Sequence, residues 1–144
     1  MKQTGQCLCG AVRFSFRQPT KNLQVCHCGQ CRRWTGGGPL FGVRVEDVEI
    51  LGEDQIGRFQ ASEHGERCFC KICGTTLFWR MQGKSVAYLC PGVLDDDGGM
   101  TVTEEIFVDC RASWMPPWEG ASQSTEANEI AKLEAFLADQ GRNQ

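Results

Sequence analysis

Residues 26–34 read Cys26-His27-Cys28-Gly29-Gln30-Cys31-Arg32-Arg33-Trp34, three thiols within six positions with two arginines directly behind them. A thiolate is the form of cysteine that binds zinc, and three thiolates converging from one tight turn suit a tetrahedral Zn²⁺ with one position unaccounted for. The identity of the fourth ligand decides whether such a site is closed or open to a substrate.

Immediately before this stretch, Leu23-Gln24-Val25-Cys26 reads as a short strand that delivers it. Gly29 allows the turn that folds Cys31 back toward Cys26 and Cys28. Gln30 to Thr35 reads as the start of a short helix that Gly36-Gly37-Gly38-Pro39 ends. His27 stands between two candidate ligands, and its ordinary pKa of about 6.5 makes it a candidate proton shuttle.

Two further cysteine groups flank this centre. Cys7-Leu8-Cys9-Gly10 opens the chain, and if that segment is extended both thiols point the same way. Cys70-Lys71-Ile72-Cys73-Gly74 is a knuckle in which backbone amides can face the sulfurs. Together Cys7, Cys9, Cys70 and Cys73 make a complete four-thiolate site whose role is structural. Cys68, two residues before Cys70, is the one candidate in the pattern to close the three-thiol site. Cys90 and Cys110 read as small buried hydrophobes on strands.

Between these groups the pattern is short strands. Val12, Phe14 and Phe16 alternate with Arg13 and Ser15, the period of a half-buried strand. Gln18 to Lys21 is a turn. Leu40 to Val45, Val48 to Leu51 and Ile56 to Phe59 read as β-hairpin material, followed by strands at Thr75 to Arg80, Val86 to Cys90 and Glu105 to Cys110. Asp95-Asp96-Asp97 lies in an acidic turn whose spacing fails the EF-hand calcium loop. Trp114 and Trp118 in RASWMPPW suit lid or core packing. Ile130, Leu133, Phe136 and Leu137 keep helical spacing and predict one C-terminal helix over about 125–140, with Ser124 or Thr125 as its cap.

At 144 residues the chain suits a single domain spanning 1–144. A formal net charge of −3 lacks the basic footprint of a nucleic-acid binder. The opening MKQTGQCLCG has no apolar signal region, and no stretch approaches the roughly 18 apolar residues of a membrane span. A soluble, cytoplasmic protein without membrane partners is the expectation. In a reducing compartment, ten cysteines point to metal rather than to disulfides.

Taken in order, GQCLCGAVRF (5–14), CHCGQCRRWTG (26–36), RCFCKICGTTLF (67–78), GVLDDDGG (92–99) and EIFVDCRASW (105–114) resemble the glutathione-dependent formaldehyde-activating enzyme family, also called Gfa-like or centromere protein V-like. The resemblance implies a mainly β fold, the β-tent of small antiparallel sheets, with two zinc ions. It implies a structural zinc on Cys7, Cys9, Cys70 and Cys73, and a catalytic zinc on Cys26, Cys28 and Cys31 with an open fourth position. The implied activity is that of a carbon–sulfur lyase joining formaldehyde to glutathione as S-(hydroxymethyl)glutathione. On this reading the partners are a small-molecule thiol such as glutathione and an aldehyde, with Arg32 and Arg33 as candidates to hold a glutathione carboxylate. Two departures concern the substrate: family members often carry His where Glu105 stands, and a Tyr-x-Ser-Ser element where Phe59-Gln60-Ala61-Ser62 stands. The competing expectations are a non-catalytic zinc-stabilised binding module with both sites closed, and a redox switch through the central cysteines.

Overall fold

The structure is a computed structural model that describes residues 2–17 and 20–142. Gln18 and Pro19 of the expected turn lie outside the described residues. The chain is mainly β. Its first part holds Lys2–Gln6 (β1), Arg13–Arg17 (β2), Asn22–Cys26 (β3), the helix Gly29–Thr35 (α1), Leu40–Glu46 (β4) and Glu49–Leu51 (β5). Ile56–Phe59 (β6), Gly65–Cys70 (β7), Thr76–Met81 (β8) and Val86–Leu89 (β9) follow, then Thr101–Ile106 (β10), Ser122–Ser124 (β11) and the helix Glu126–Arg142 (α2). These elements fall into two compact units.

The first unit comprises the described residues up to Gln24 together with Phe41–Thr101. In it β2 is the middle strand of an antiparallel sheet, with Phe14 opposite Gly5 of β1 on one side and Ile50 of β5 on the other. The period-two pattern is realised: Val12, Phe14 and Phe16 are buried while Arg13 is exposed. A second run of antiparallel strands pairs β4 with β9, β9 with β8, β8 with β7 and β7 with β6. Phe14 meets Phe78 of β8 edge to face, with ring centroids 6.1 Å apart and planes at 80°. Such a pair adds about 0.5–1.5 kcal/mol beyond the area it buries. Val43, Val45, Leu77 and Leu89, each fully buried, complete this core.

β4 and β5 do not form the hairpin that their spacing suggests. Asp47 turns the chain at φ 51°, after which β5 pairs with β2 in the other sheet and β4 takes β9. Local alternation defines the strands, but partner choice is set by which apolar face each can cover. β1 was not expected either, because Lys2, Gln3, Thr4 and Gln6 offer no apolar alternation.

Gly52 follows β5 at φ 81°, and a Cβ built there would lie 2.0 Å from the Ala11 carbonyl oxygen. Both the left-handed backbone and the contact require glycine. Gly52→Ala is expected to cost about 2 kcal/mol or more, read as a lower urea midpoint at unchanged slope.

The second unit comprises Val25–Leu40 and the residues from Val102 onward. β11 pairs with β10 in parallel, placing Gln123 opposite Glu105. The strand expected over Glu105 to Cys110 ends earlier, at Ile106. Phe107 adopts a left-handed conformation at φ 55°, and Val108–Cys110 form a 3-10 turn. Cys110 therefore lies on a turn and Cys90 just past β9, both half-buried rather than on strands. β11, Ser-Gln-Ser, carries no apolar signal and exists through its pairing with β10.

The C-terminal helix starts where the cap residues predict, with the Asn128 amide donating to Thr125 Oγ1 at 3.3 Å. The Glu126 amide donates to Asp109 on the 3-10 turn at 3.0 Å, tying the two together. Its stripe residues Ile130, Leu133 and Phe136 remain exposed. Asn143 lies outside the described residues. Among the described residues no helix is long and apolar enough to cross a membrane.

Candidate functional site

None of the ten cysteines is in a disulfide, and seven of them form two groups able to hold a metal ion. Cys7, Cys9, Cys70 and Cys73 bring four Sγ atoms within 4.8 Å of one another in the first unit. Cys7 and Cys9 sit on a turn rather than in extended chain, closed by the Gly10 amide on the Cys7 carbonyl at 3.1 Å. Cys70 ends β7, and the Gly74 amide closes the knuckle on the Cys70 carbonyl at 2.8 Å.

The sulfur spacings are 3.6 Å for Cys7–Cys9 and 3.8 Å for Cys9–Cys70. A tetrahedron with Zn–S bonds of about 2.3 Å has S···S edges of about 3.8 Å, so the four donors fit that ion. Amides point inward as the knuckle pattern predicts: Val12 donates to Cys7 Sγ at 3.3 Å and Cys73 to Cys70 Sγ at 3.5 Å. The Thr75 hydroxyl, and then its amide, bring the Cys73 thiol down to about 5. The Ala11 amide favours the Cys9 anion, but desolvation and the sulfurs of Cys7, Cys73 and Cys70 push that thiol up to about 11. Without a cation the four sulfurs share protons unequally, and a divalent ion lets all four be thiolates.

Cys26, Cys28 and Cys31 form the second group, again with all Sγ atoms within 4.8 Å of one another. Each is placed by a different local device: Cys26 ends β3, Cys28 is the N-cap of α1, and Cys31 lies in its first turn. The Cys31 amide donates to Cys28 Sγ at 3.3 Å, so a thiol does here what a serine or aspartate side chain does at most helix starts. Gly36, at φ 77°, ends the helix by donating to the Arg32 carbonyl. Hydrogen bonds with the Cys28 and Cys31 sulfurs, and then burial, push the Cys26 thiol far above its ordinary value. Three thiolates this close need a cation beside them. The donor set again fits zinc, with three ligands instead of four.

No fourth His, Cys, Asp or Glu among the described residues joins this group. Cys68, the candidate to close it, is completely buried on β7, where its Sγ accepts from Arg58 Nη1 at 3.5 Å. Burial, only partly offset by Arg58, pushes the Cys68 thiol up to about 11. Arg32 is half-buried and donates from Nη1 to the Cys110 carbonyl at 3.2 Å, joining α1 to the 3-10 turn. Arg33 is exposed on the same helix. Trp114 is 65% exposed, outside any core, and Trp118 is half-buried.

His27 is completely buried, and its Nε2 lies 2.7 Å from Glu105 Oε1, itself completely buried. The other carboxylate oxygen accepts from the Trp118 amide at 2.9 Å and from Gln123 Nε2 at 2.6 Å, with Arg111 Nη2 3.3 Å away. Burial works against the Glu105 anion, but Gln123, His27, the Trp118 amide and Arg111 together outweigh it and hold the carboxyl below the usual carboxylate range. In the sequence, Glu105 marks only a departure from the family pattern. Its partners stand up to 78 positions away, and nothing in the local pattern announces them.

Comparison with known proteins places the chain in a family. A profile of the glutathione-dependent formaldehyde-activating enzyme family matches residues 2–110. An uncharacterized lyase of Schizosaccharomyces pombe is 26% identical over 106 residues, covering 73% of this chain and 77% of that protein. A provisionally named glutathione-dependent formaldehyde-activating enzyme of Halomonas elongata is 34% identical over 83 residues, about half of each chain at 51% and 53%. A crystal structure of a Rhodobacter sphaeroides protein shares the fold, with a TM-score of 0.55 at 16% identity over 85% of this chain and 99% of the other. With the family's profile running through both cysteine groups, the chain belongs to the glutathione-dependent formaldehyde-activating enzyme family.

Proposed function

We propose that the protein is a zinc-dependent carbon–sulfur lyase acting on a thiol–aldehyde adduct, of the S-(hydroxymethyl)glutathione synthase type. The observation that carries this reading is the three-sulfur group of Cys26, Cys28 and Cys31, which no fourth protein donor among the described residues completes. Cys7, Cys9, Cys70 and Cys73 would hold a structural ion, and Cys26, Cys28 and Cys31 the one at which chemistry occurs. Zinc held there supplies acidification of an incoming thiol, because a coordinating thiol is deprotonated outright.

The protein's own groups then bind and orient. In the synthetic direction the thiolate sulfur bonds to the aldehyde carbon, the carbonyl pair moves to oxygen, and that oxygen takes up a proton. The reverse reaction breaks the same carbon–sulfur bond. Arg33, exposed on α1 within two residues of Cys31, would pair with a carboxylate of a peptide thiol, a reading its exposure supports. Arg32, bonded to the Cys110 carbonyl, braces the helix that carries Cys31.

The test is exchange NMR on formaldehyde and glutathione with the metal-loaded protein. Exchange faster than the uncatalysed background, lost when the metal is removed, is the expected result. Background rates for this pair and for other thiol–aldehyde pairs would overturn the proposal.

A further inference from the structure

We infer that Glu105 is a positioning residue, whose buried carboxylate holds His27 and thereby fixes the spacing of the sulfurs of Cys26, Cys28 and Cys31. This rests on those three cysteines forming a metal site, not on the lyase chemistry. His27 is the residue between two of them, and it is held twice. Its backbone N–H donates to the Ile106 carbonyl at 3.0 Å, and its Nε2 meets Glu105 Oε1 at 2.7 Å. Glu105 and Ile106 are neighbours on β10. The backbone angles at 27 set the direction from Cys26 to Cys28, so a ring and an amide both anchored to one strand leave those sulfurs little freedom.

Glu105 is anchored in turn. Oε2 takes the Trp118 amide, Gln123 Nε2 and Arg111 Nη2, while Arg111 also bonds Gln123. An ionised carboxylate accepts at both oxygens and suits partners that all present N–H groups. The pair is completely shielded from water, so breaking it leaves a buried group without its partner. Among the described residues His27 Nδ1 has no hydrogen-bond partner, so the ring's orientation rests on the Glu105 contact and on packing. Being buried at both nitrogens, the imidazole acts on the site through position.

Two variants separate this role from general support of the fold. Glu105→Gln keeps the shape but replaces one acceptor oxygen with an NH₂ that opposes the donors around it. Glu105→Asp keeps the charge and withdraws it by one methylene. The probe is ¹¹³Cd²⁺ alone, loaded in place of zinc, with one NMR resonance expected from each cysteine group of the wild type. The four-cysteine group shares no residue with the network and serves as the internal control.

In either variant the resonance of the three-cysteine group is expected to shift, and competition with a chelator to show about 10- to 100-fold weaker binding there. The other resonance and its retention should be unchanged. Unmoved resonances and unchanged retention in both variants would overturn the inference. So would loss of both metals together in each variant, which would make Glu105 a residue of the fold alone. A wild-type protein with a single resonance would remove the metal reading itself and this inference with it, an outcome distinct from two resonances that the variants leave in place.

Discussion

Cys70→Ser is expected to prevent stable folding. Cys70 ends β7, is completely buried, lies 3.8 Å from Cys9 Sγ, and accepts the Cys73 amide. Through that sulfur the turn after β1 and the turn between β7 and β8 become one structure. Structural zinc sites contribute on the order of 10 kcal/mol or more of apparent binding energy, as large as the 5–15 kcal/mol that separates a typical folded domain from its unfolded chain. A serine there would weaken the hold on an ion bound by the four-cysteine group and removes a buried sulfur from the core. Thermal unfolding followed by circular dichroism is the check. A cooperative transition within a few degrees of wild type would show that the four-cysteine group does not support the fold.

Cys28→Ser is expected to have the opposite profile: loss of about one metal equivalent and of thiol–aldehyde exchange, with the fold retained. Cys28 is the N-cap of α1, where its side chain accepts the Cys31 amide. Serine is among the preferred residues at that position, so the helix start survives the change while a soft thiolate ligand is lost. Metal content by elemental analysis, set beside a melting curve, reads both halves of the expectation. Retention of two equivalents would mean that Cys28 does not hold the ion, and unfolding would mean that the three-cysteine group is structural.

The cysteine arithmetic was readable from the chain because metal ligation has a short-range grammar. Cys-x-Cys, Cys-x-Cys-x-x-Cys and Cys-x-x-Cys-Gly each place their sulfurs through a single local turn, and the structure assembles the groups with the expected members. Strand positions were readable where one face is buried, as with Val12, Phe14 and Phe16. β1 and β11 were not, since their residues are mostly polar and their hydrogen bonds come from distant partners. The end of β10 was missed for a different reason: Val108 continues the strand-like composition, while Phe107 has already turned the backbone.

By itself the sequence determined the membership of the two cysteine groups, the mainly β character and the C-terminal helix, because each depends on short spacings in the chain or on a periodicity that needs no partner. The tertiary structure alone decided three further matters. It assigned Cys68 to Arg58 and left the three-cysteine group without a fourth protein donor among the described residues. It sent β5 to β2 instead of β4. It also turned Glu105 from a departure in a motif into the buried partner of His27. Each of these joins residues that are neighbours only after folding: buried charge, buried thiol and unpaired strand edge are satisfied by whatever the packing brings, and no local spacing encodes that choice.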